Sequence, residues 1–289
     1  MEAAPDHQPI VSTESWVIEP RRDGLAARGR DVWRYRRLLR FFAAKAIQKL
    51  YAKTILGWAW IFIRPLFPLL VNTLIFGGVL SVGSHGVPYF LFLVVGTSIW
   101  DLFANATIWG TRSLELNRGF LTKIYIPRLI LPVAMMTPAY LTFAIHLAVV
   151  AVAIVYYRVT TGVLHLTPWN LGWAVLATGI AWLLALGISL WTSVPALIAR
   201  DVRFTLTYVL GFWVFLTPVL YPLTPPDKYA WLMSANPMAA VVNAFKYGVL
   251  GIDVLNPRDL GVAALIALAV FGSGLMFFSR AEADAGDKV

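Results

Sequence analysis

The side chains best placed to do chemistry are cations gathered in one short loop. Leu116–Pro132 reads LNRGFLTKIYIPRLILP and lies between two long apolar runs, Tyr89–Gly110 and Leu131–Tyr157. Arg112, Arg118, Lys123 and Arg128 bracket it, and Glu115 is the one acid among them. A loop this tight has no room for a domain of its own. It can offer charge and hydrogen-bond donors to another surface. Other chemistries are poorly supplied. Cys is absent, which excludes a disulfide framework and a thiolate nucleophile or metal site. The four His, at 7, 85, 146 and 165, show no metal-ligand spacing. No G-x-x-x-x-G-K-[ST] run occurs, so the chain carries no P-loop ATPase of its own.

The elements that must position this loop are apolar. Of 289 residues, 59% are hydrophobic and 13% charged, with a mean hydropathy of +0.70. An ordinary soluble domain is about half apolar and about a quarter charged. The excess falls in runs near the roughly 20 residues that cross a bilayer. The expected fold is an all-α integral membrane protein. It has a cytoplasmic tail and amphipathic interfacial helix over 1–54, then a transmembrane domain over 55–289. About six spans are expected, near 56–80, 89–110, 131–157, 171–194, 204–221 and 260–279. The basic loop occupies 112–130, and a re-entrant helical hairpin over 226–251 precedes the last span. No early apolar run with a cleavage pattern is seen, so the first span is expected to insert as an anchor.

Charge sets the orientation. Short loops rich in Lys and Arg stay inside. The run from Arg21 to Lys53, the 112–130 loop, Arg200, Arg203, Arg280 and Lys288 fall on one side, against Arg158, Lys228, Lys246 and Arg258 on the other. Both termini are therefore expected in the cytoplasm. The formal charge of +9 follows this topology and does not call for nucleic acid. The 112–130 loop is then a cytoplasmic handle, which something in the cytosol grips to move the membrane helices.

Within Asp31–Thr54, Tyr35, Leu39, Phe42, Ala46 and Leu50 form one apolar stripe flanked by Arg and Lys. This suits a helix in the interface plane, either as a topology signal alone or with a second contact to a cytosolic partner. Arg64 is eight residues inside Leu56, about 12 Å deep at 1.5 Å per residue. Asp101 is expected at similar depth, and an Arg64–Asp101 pair is the expected way to hold both charges in hydrocarbon. His146, alone on an apolar segment, reads as a core histidine. Gly172, Gly179, Ala185 and Gly187 offer close helix packing. The segment 222–259 is apolar but broken at Asn236-Pro237, and neither half is long enough to span. It reads as a half-buried re-entrant hairpin acting as an outer gate, with Tyr221, Asn236 and Pro237 as its residues, or as an amphipathic cap on the outer leaflet.

In this order and at these spacings, four motifs resemble one family. They are Tyr51–Trp60 (YAKTILGWAW) leading to Arg64-Pro65-Leu66, then Leu121–Pro132 (LTKIYIPRLILP), then Arg200-Asp201-Val202, and finally Leu216–Pro222 (LTPVLYP) followed by Asn236-Pro237-Met238. The chain resembles the membrane (permease) subunit of ATP-binding-cassette exporters of polysaccharides and polyol phosphates, the group that serves O-antigen, capsule, cell-wall galactan and teichoic acid. The likeness runs from Trp33 onward. It departs at Lys45-Ala-Ile-Gln-Lys-Leu-Tyr51, where the family is more basic, and at Arg118–Lys123, where the family often has Asn-Leu-Ile-Ser-Lys.

The resemblance implies a multi-pass protein of the bacterial cytoplasmic membrane, working as a homodimer with two cytosolic nucleotide-binding subunits. ATP and Mg would bind those partners, with no cofactor on this chain and no catalysis by it alone. The loop after the second span would be the coupling helix, with Asn117, Arg118, Lys123, Ile124, Tyr125, Pro127 and Arg128 as its contact residues. The cargo would be a lipid-linked glycan. Aromatic rings suit such a cargo, because sugar C–H faces stack on them without one fixed pattern of hydroxyls. Trp58, Trp60, Phe67, Tyr208, Phe212 and Phe215 are the candidate channel residues, with interface belts and packing as the alternative use of such rings. Rival readings are an exporter of a small molecule or lipid on the same architecture, and a membrane enzyme of glycan assembly, for which no catalytic set stands out.

Overall fold

The computed structural model describes residues 35–51, 55–121, 128–162, 170–222 and 230–286. Among the described residues every regular element is helical. Helix α1 spans Arg36–Tyr51. Helix α2, Trp60–Asn72, is preceded by a 3-10 turn at Gly57–Ala59 and runs on as a π-helix over Thr73–Val79. Helix α3 is Tyr89–Thr111. Two single turns follow, α4 (Ser113–Leu116) and α5 (Arg118–Leu121). Helix α6 (Ile130–Met135) leads directly into α7 (Thr137–Thr161), and α8 is Leu171–Ile198. Helix α9 covers Asp201–Trp213, α10 Ala230–Ala235, α11 Pro237–Leu250 and α12 Pro257–Gly286.

Five stretches are long and apolar enough to cross a membrane: Gly57–Val79, Tyr89–Thr111, Ile130–Thr160, Leu171–Ile198 and Pro257–Ala281. The expected sixth span, 204–221, is not one continuous helix. Helix α9 ends in a 3-10 turn at Val214–Leu216, and Thr217 is already extended, with φ −121° and ψ 139°. The cause is Pro218, whose ring pushes the preceding residue out of the helical region.

Helix α3 is the hub. It is buried around most of its circumference and packs on α7, α8 and α11. Helix α8 packs most heavily on α12. They meet at Gly187, where a Cβ would sit 2.7 Å from the backbone N of Phe271 and 2.8 Å from its Cα. A Cβ on Gly274 would lie 2.6 Å from the carbonyl of Gly187. Small residues let these backbones touch where larger ones could not. Gly172 and Gly179 do not take part, since a Cβ at either meets open space.

Helix α11 is not a surface cap. Met238, Val241, Val242, Ala244, Phe245 and Lys246 are all buried, and the helix packs on α8, α12 and α3. A helix apolar on all sides belongs inside a bundle. Its close neighbours explain its glycine: a Cβ on Gly248 would lie 2.6 Å from the backbone N of Ala174. Fourteen residues of α-helix cover about 21 Å, more than half of a hydrocarbon core of about 30 Å.

Candidate functional site

The C-terminal end of α3 is stapled to two other elements. Lys49 of α1 donates to the Leu116 carbonyl at 2.9 Å, capping the end of α4. Phe120 of α5 meets Phe41 and Phe42 of α1 edge-on, with centroids 6.2 and 5.7 Å apart. Lys45 lies 3.6 Å over the Phe120 ring. Burial, and then the neighbouring charge of Lys49, hold the Lys45 ammonium below the usual lysine range. On the other side, Arg203 of α9 donates from Nη1 to both carboxylate oxygens of Glu115, at 2.7 and 2.9 Å. A push on this loop therefore reaches α1, α3 and α9 together.

The loop residues divide by exposure. Arg118 is exposed, and Arg128 stands half-exposed at the turn into α6. Asn117 is buried and donates from Nδ2 to the Ser113 carbonyl at 2.9 Å. It shapes the turn from within, beside the exposed Arg118. Lys123, Ile124, Tyr125 and Pro127 lie outside the described residues.

The candidate channel residues sit on α9, on the 3-10 turns flanking α2 and α9, and on α2 itself. Trp58, Phe67, Tyr208, Phe212 and Phe215 are 50% to 73% exposed, and Trp60 is half-exposed. Among the described residues these rings face outward from the chain's core. A separate groove of about 710 Å³ runs between α2, α3 and α7, lined by Phe62, Leu66, Phe90, Val149, Val152 and Tyr156. Its lining is apolar, which suits a hydrocarbon chain and not a sugar.

Toward the other end of the bundle, the break at Pro218 is held by two side chains. Asn236 caps α11, its Oδ1 accepting from the backbone N–H of Met238 at 3.1 Å and of Ala239 at 3.4 Å. The same oxygen accepts from the Trp213 indole at 2.9 Å. Its Nδ2 donates to the Leu216 carbonyl at 2.8 Å and to Thr217 Oγ1 at 3.2 Å. Tyr221 donates to the Phe215 carbonyl at 2.6 Å, and Pro237 starts α11, where its missing N–H is harmless. Lys246 is the second clamp. Its buried Nζ donates to the carbonyl of Pro218 at 2.6 Å and of Val219 at 3.4 Å, and it sits 3.2 Å over the Phe92 ring. Gly96 makes room for it: a Cβ there would lie 2.8 Å from Lys246 Cε. A lone lysine in an apolar helix is the sequence signal for this clamp.

The expected Arg64–Asp101 pair is not formed. Helix α2 buries Pro65 and Leu69, and Arg64, one residue and about 100° round the helix, is exposed. Asp101 instead faces His146 of α7, with Oδ2 3.9 Å from Nε2.

The comparisons with known proteins agree with this architecture. No family model matches the chain. It is 28% identical over 258 residues to the O-antigen export system permease protein RfbA of Myxococcus xanthus, covering 88% of this chain and 96% of that protein. Two proteins of the same description from Klebsiella pneumoniae are each 25% identical. The matches cover 84% of this chain and 91% of one, and 81% and 90% for the other. The likeness runs nearly end to end on both sides.

Proposed function

We propose that this chain is the permease subunit of an ATP-driven exporter that carries a lipid-linked polysaccharide across the bacterial cytoplasmic membrane. The observation that carries the reading is the near full-length likeness to three O-antigen export permeases, on a chain whose helices are suited to crossing a membrane several times.

The chain has no P-loop, so the work comes from a cytosolic ATPase that binds ATP and Mg. That partner grips the 112–130 loop through Arg118, Arg128 and the segment around Tyr125. The staples from Lys49 and Arg203 pass its motion to α1 and α9. The exposed aromatic faces of α2 and α9 support a homodimer, in which two copies complete a passage between them. Aromatic walls hold sugar rings by stacking, a contact that tolerates many sugar sequences and lets the polymer slide. With α9 and residues 217–222 making the sixth crossing, both termini lie in the cytoplasm.

The test is deletion and complementation in the source cell. Loss of the chain should abolish the surface polysaccharide while its lipid-linked precursor accumulates on the cytoplasmic leaflet, and the wild-type chain should restore export. Normal surface polysaccharide in the deletion strain would defeat the reading.

A further inference from the structure

Polar groups inside a membrane protein are normally paired, because hydrocarbon offers nothing to bond. Most polar side chains in these spans obey that rule through their own helix. Thr107 donates to the Phe103 carbonyl at 2.7 Å, Ser98 to Val95 at 2.7 Å and Thr178 to Ala174 at 2.8 Å. Three groups near the middle of the bundle do not. Among the described residues Asp101 has only His146, at 3.9 Å, too long for a hydrogen bond. His146 is fully buried; neither ring nitrogen makes a hydrogen bond of good geometry, and the backbone of Pro65 on α2 is the polar group beside it. Asn105, one turn below Asp101 on α3, makes no hydrogen bond among the described residues.

These groups share a place. Asp101 and Asn105 lie within about 40° of each other on α3 at 100° per residue. Thr97 and Arg112 extend the same stripe toward the two ends of the helix; all four residues are partly exposed, although Thr97 Oγ1 and Arg112 Nε are buried without a partner among the described residues. The rest of α3 is packed, so this stripe is the side of the hub left open. A carboxyl and a carboxamide facing lipid would cost several kcal/mol, by the order of magnitude expected for unsatisfied groups in hydrocarbon. The face must be covered by something that donates and accepts hydrogen bonds.

We infer that the α3 face bearing Asp101 and Asn105, with His146 behind it, is a water-filled wall of the transport path. Its carboxyl and amide groups hydrogen-bond the hydroxyls of a passing glycan, and the buried imidazole backs the carboxyl. This rests on the exporter reading and adds to it a polar rail beside the aromatic residues. Stacking on rings holds sugars without registering their hydroxyls; the rail supplies the missing partners at mid-membrane.

The chain has no cysteine, so single cysteines report cleanly. Thiols react with charged, membrane-impermeant methanethiosulfonate reagents as thiolates, which form in water and not in lipid. The full chain, in its own cell membrane, is tested as Asn105→Cys. Val175→Cys and Leu265→Cys on exposed apolar faces and Ala106→Cys in the core serve as references. Asn105→Cys should label at least about tenfold faster than all three. Cells that make the glycan should label about threefold more slowly than cells blocked in its synthesis. Labelling no faster than the references would overturn the water path, as would an unlabelled Asn105→Cys that forms an inter-chain disulfide on oxidation. Fast labelling unaffected by glycan would overturn the sugar contact. The deletion experiment tests the exporter reading separately, so the two can fail independently.

Discussion

Replacing Asn236 by alanine removes the N-cap of α11 and the lock between α9 and α11 in one step. The cap alone is worth about 1 kcal/mol. Alanine also leaves the Trp213 indole N–H and the Leu216 carbonyl without their partner, at 2.9 and 2.8 Å in the wild type. Each orphaned buried group costs about 1–3 kcal/mol. The sum is about 3–5 kcal/mol once the terms overlap. At about 2 °C per kcal/mol for a chain of this size, thermal unfolding of the detergent-solubilised protein should fall by about 6–10 °C. Asn236→Ser keeps a cap oxygen but cannot span to Trp213 and Leu216, so it should melt between alanine and wild type. A cycle with Trp213→Phe should show at least about 1 kcal/mol of coupling. An Asn236→Ala protein that melts within 1–2 °C of wild type, with no coupling to Trp213, would refute the lock.

Other predictions follow from the same kind of contact. Lys246→Met keeps the stem but strips the donor from the Pro218 carbonyl, and should cost about 2 kcal/mol in the same melt. Gly187→Ala forces a methyl against the backbone of Phe271 and should cost about 1–3 kcal/mol. Gly179→Ala, facing open space on the same helix, should be neutral or stabilising by up to about 1 kcal/mol. Glu115 and Arg203 are partly exposed, so a double-mutant cycle with Glu115→Gln and Arg203→Gln should give about 1 kcal/mol, and the single variants should lower export more than they lower the melting point.

What the sequence reveals here depends on the length over which a signal is averaged. The all-α, multi-pass character is legible because hydropathy sums over about 20 residues and outweighs any single side chain. The break before α11 is legible at Asn236-Pro237, where two residues act locally. Rotation about a helix axis is not. Arg64 and Asp101 are matched in expected depth, but α2 turns Pro65 and Leu69 inward and leaves Arg64 outside. Tertiary partners are equally hidden. Nothing in the spacing of His146 announces Asp101, and the role of Lys246 needs Gly96 and the Pro218 carbonyl, which come from two other parts of the chain. The end of α9 shows a local rule read at too coarse a scale. Thr217-Pro218 is visible as a helix stop, yet a hydropathy window runs through it to Tyr221.

The central claim is that a cytosolic ATPase grips the 112–130 loop. Its most direct test is affinity purification of the tagged chain in mild detergent, from wild type and from a Lys123→Glu, Tyr125→Ala, Arg128→Glu variant, with ATPase activity measured on each eluate. The account predicts that a P-loop ATPase co-purifies with the wild type, and that it is lost or uncoupled in the variant while the membrane protein keeps its melting point. A folded wild-type chain that brings down no nucleotide-binding partner would contradict it.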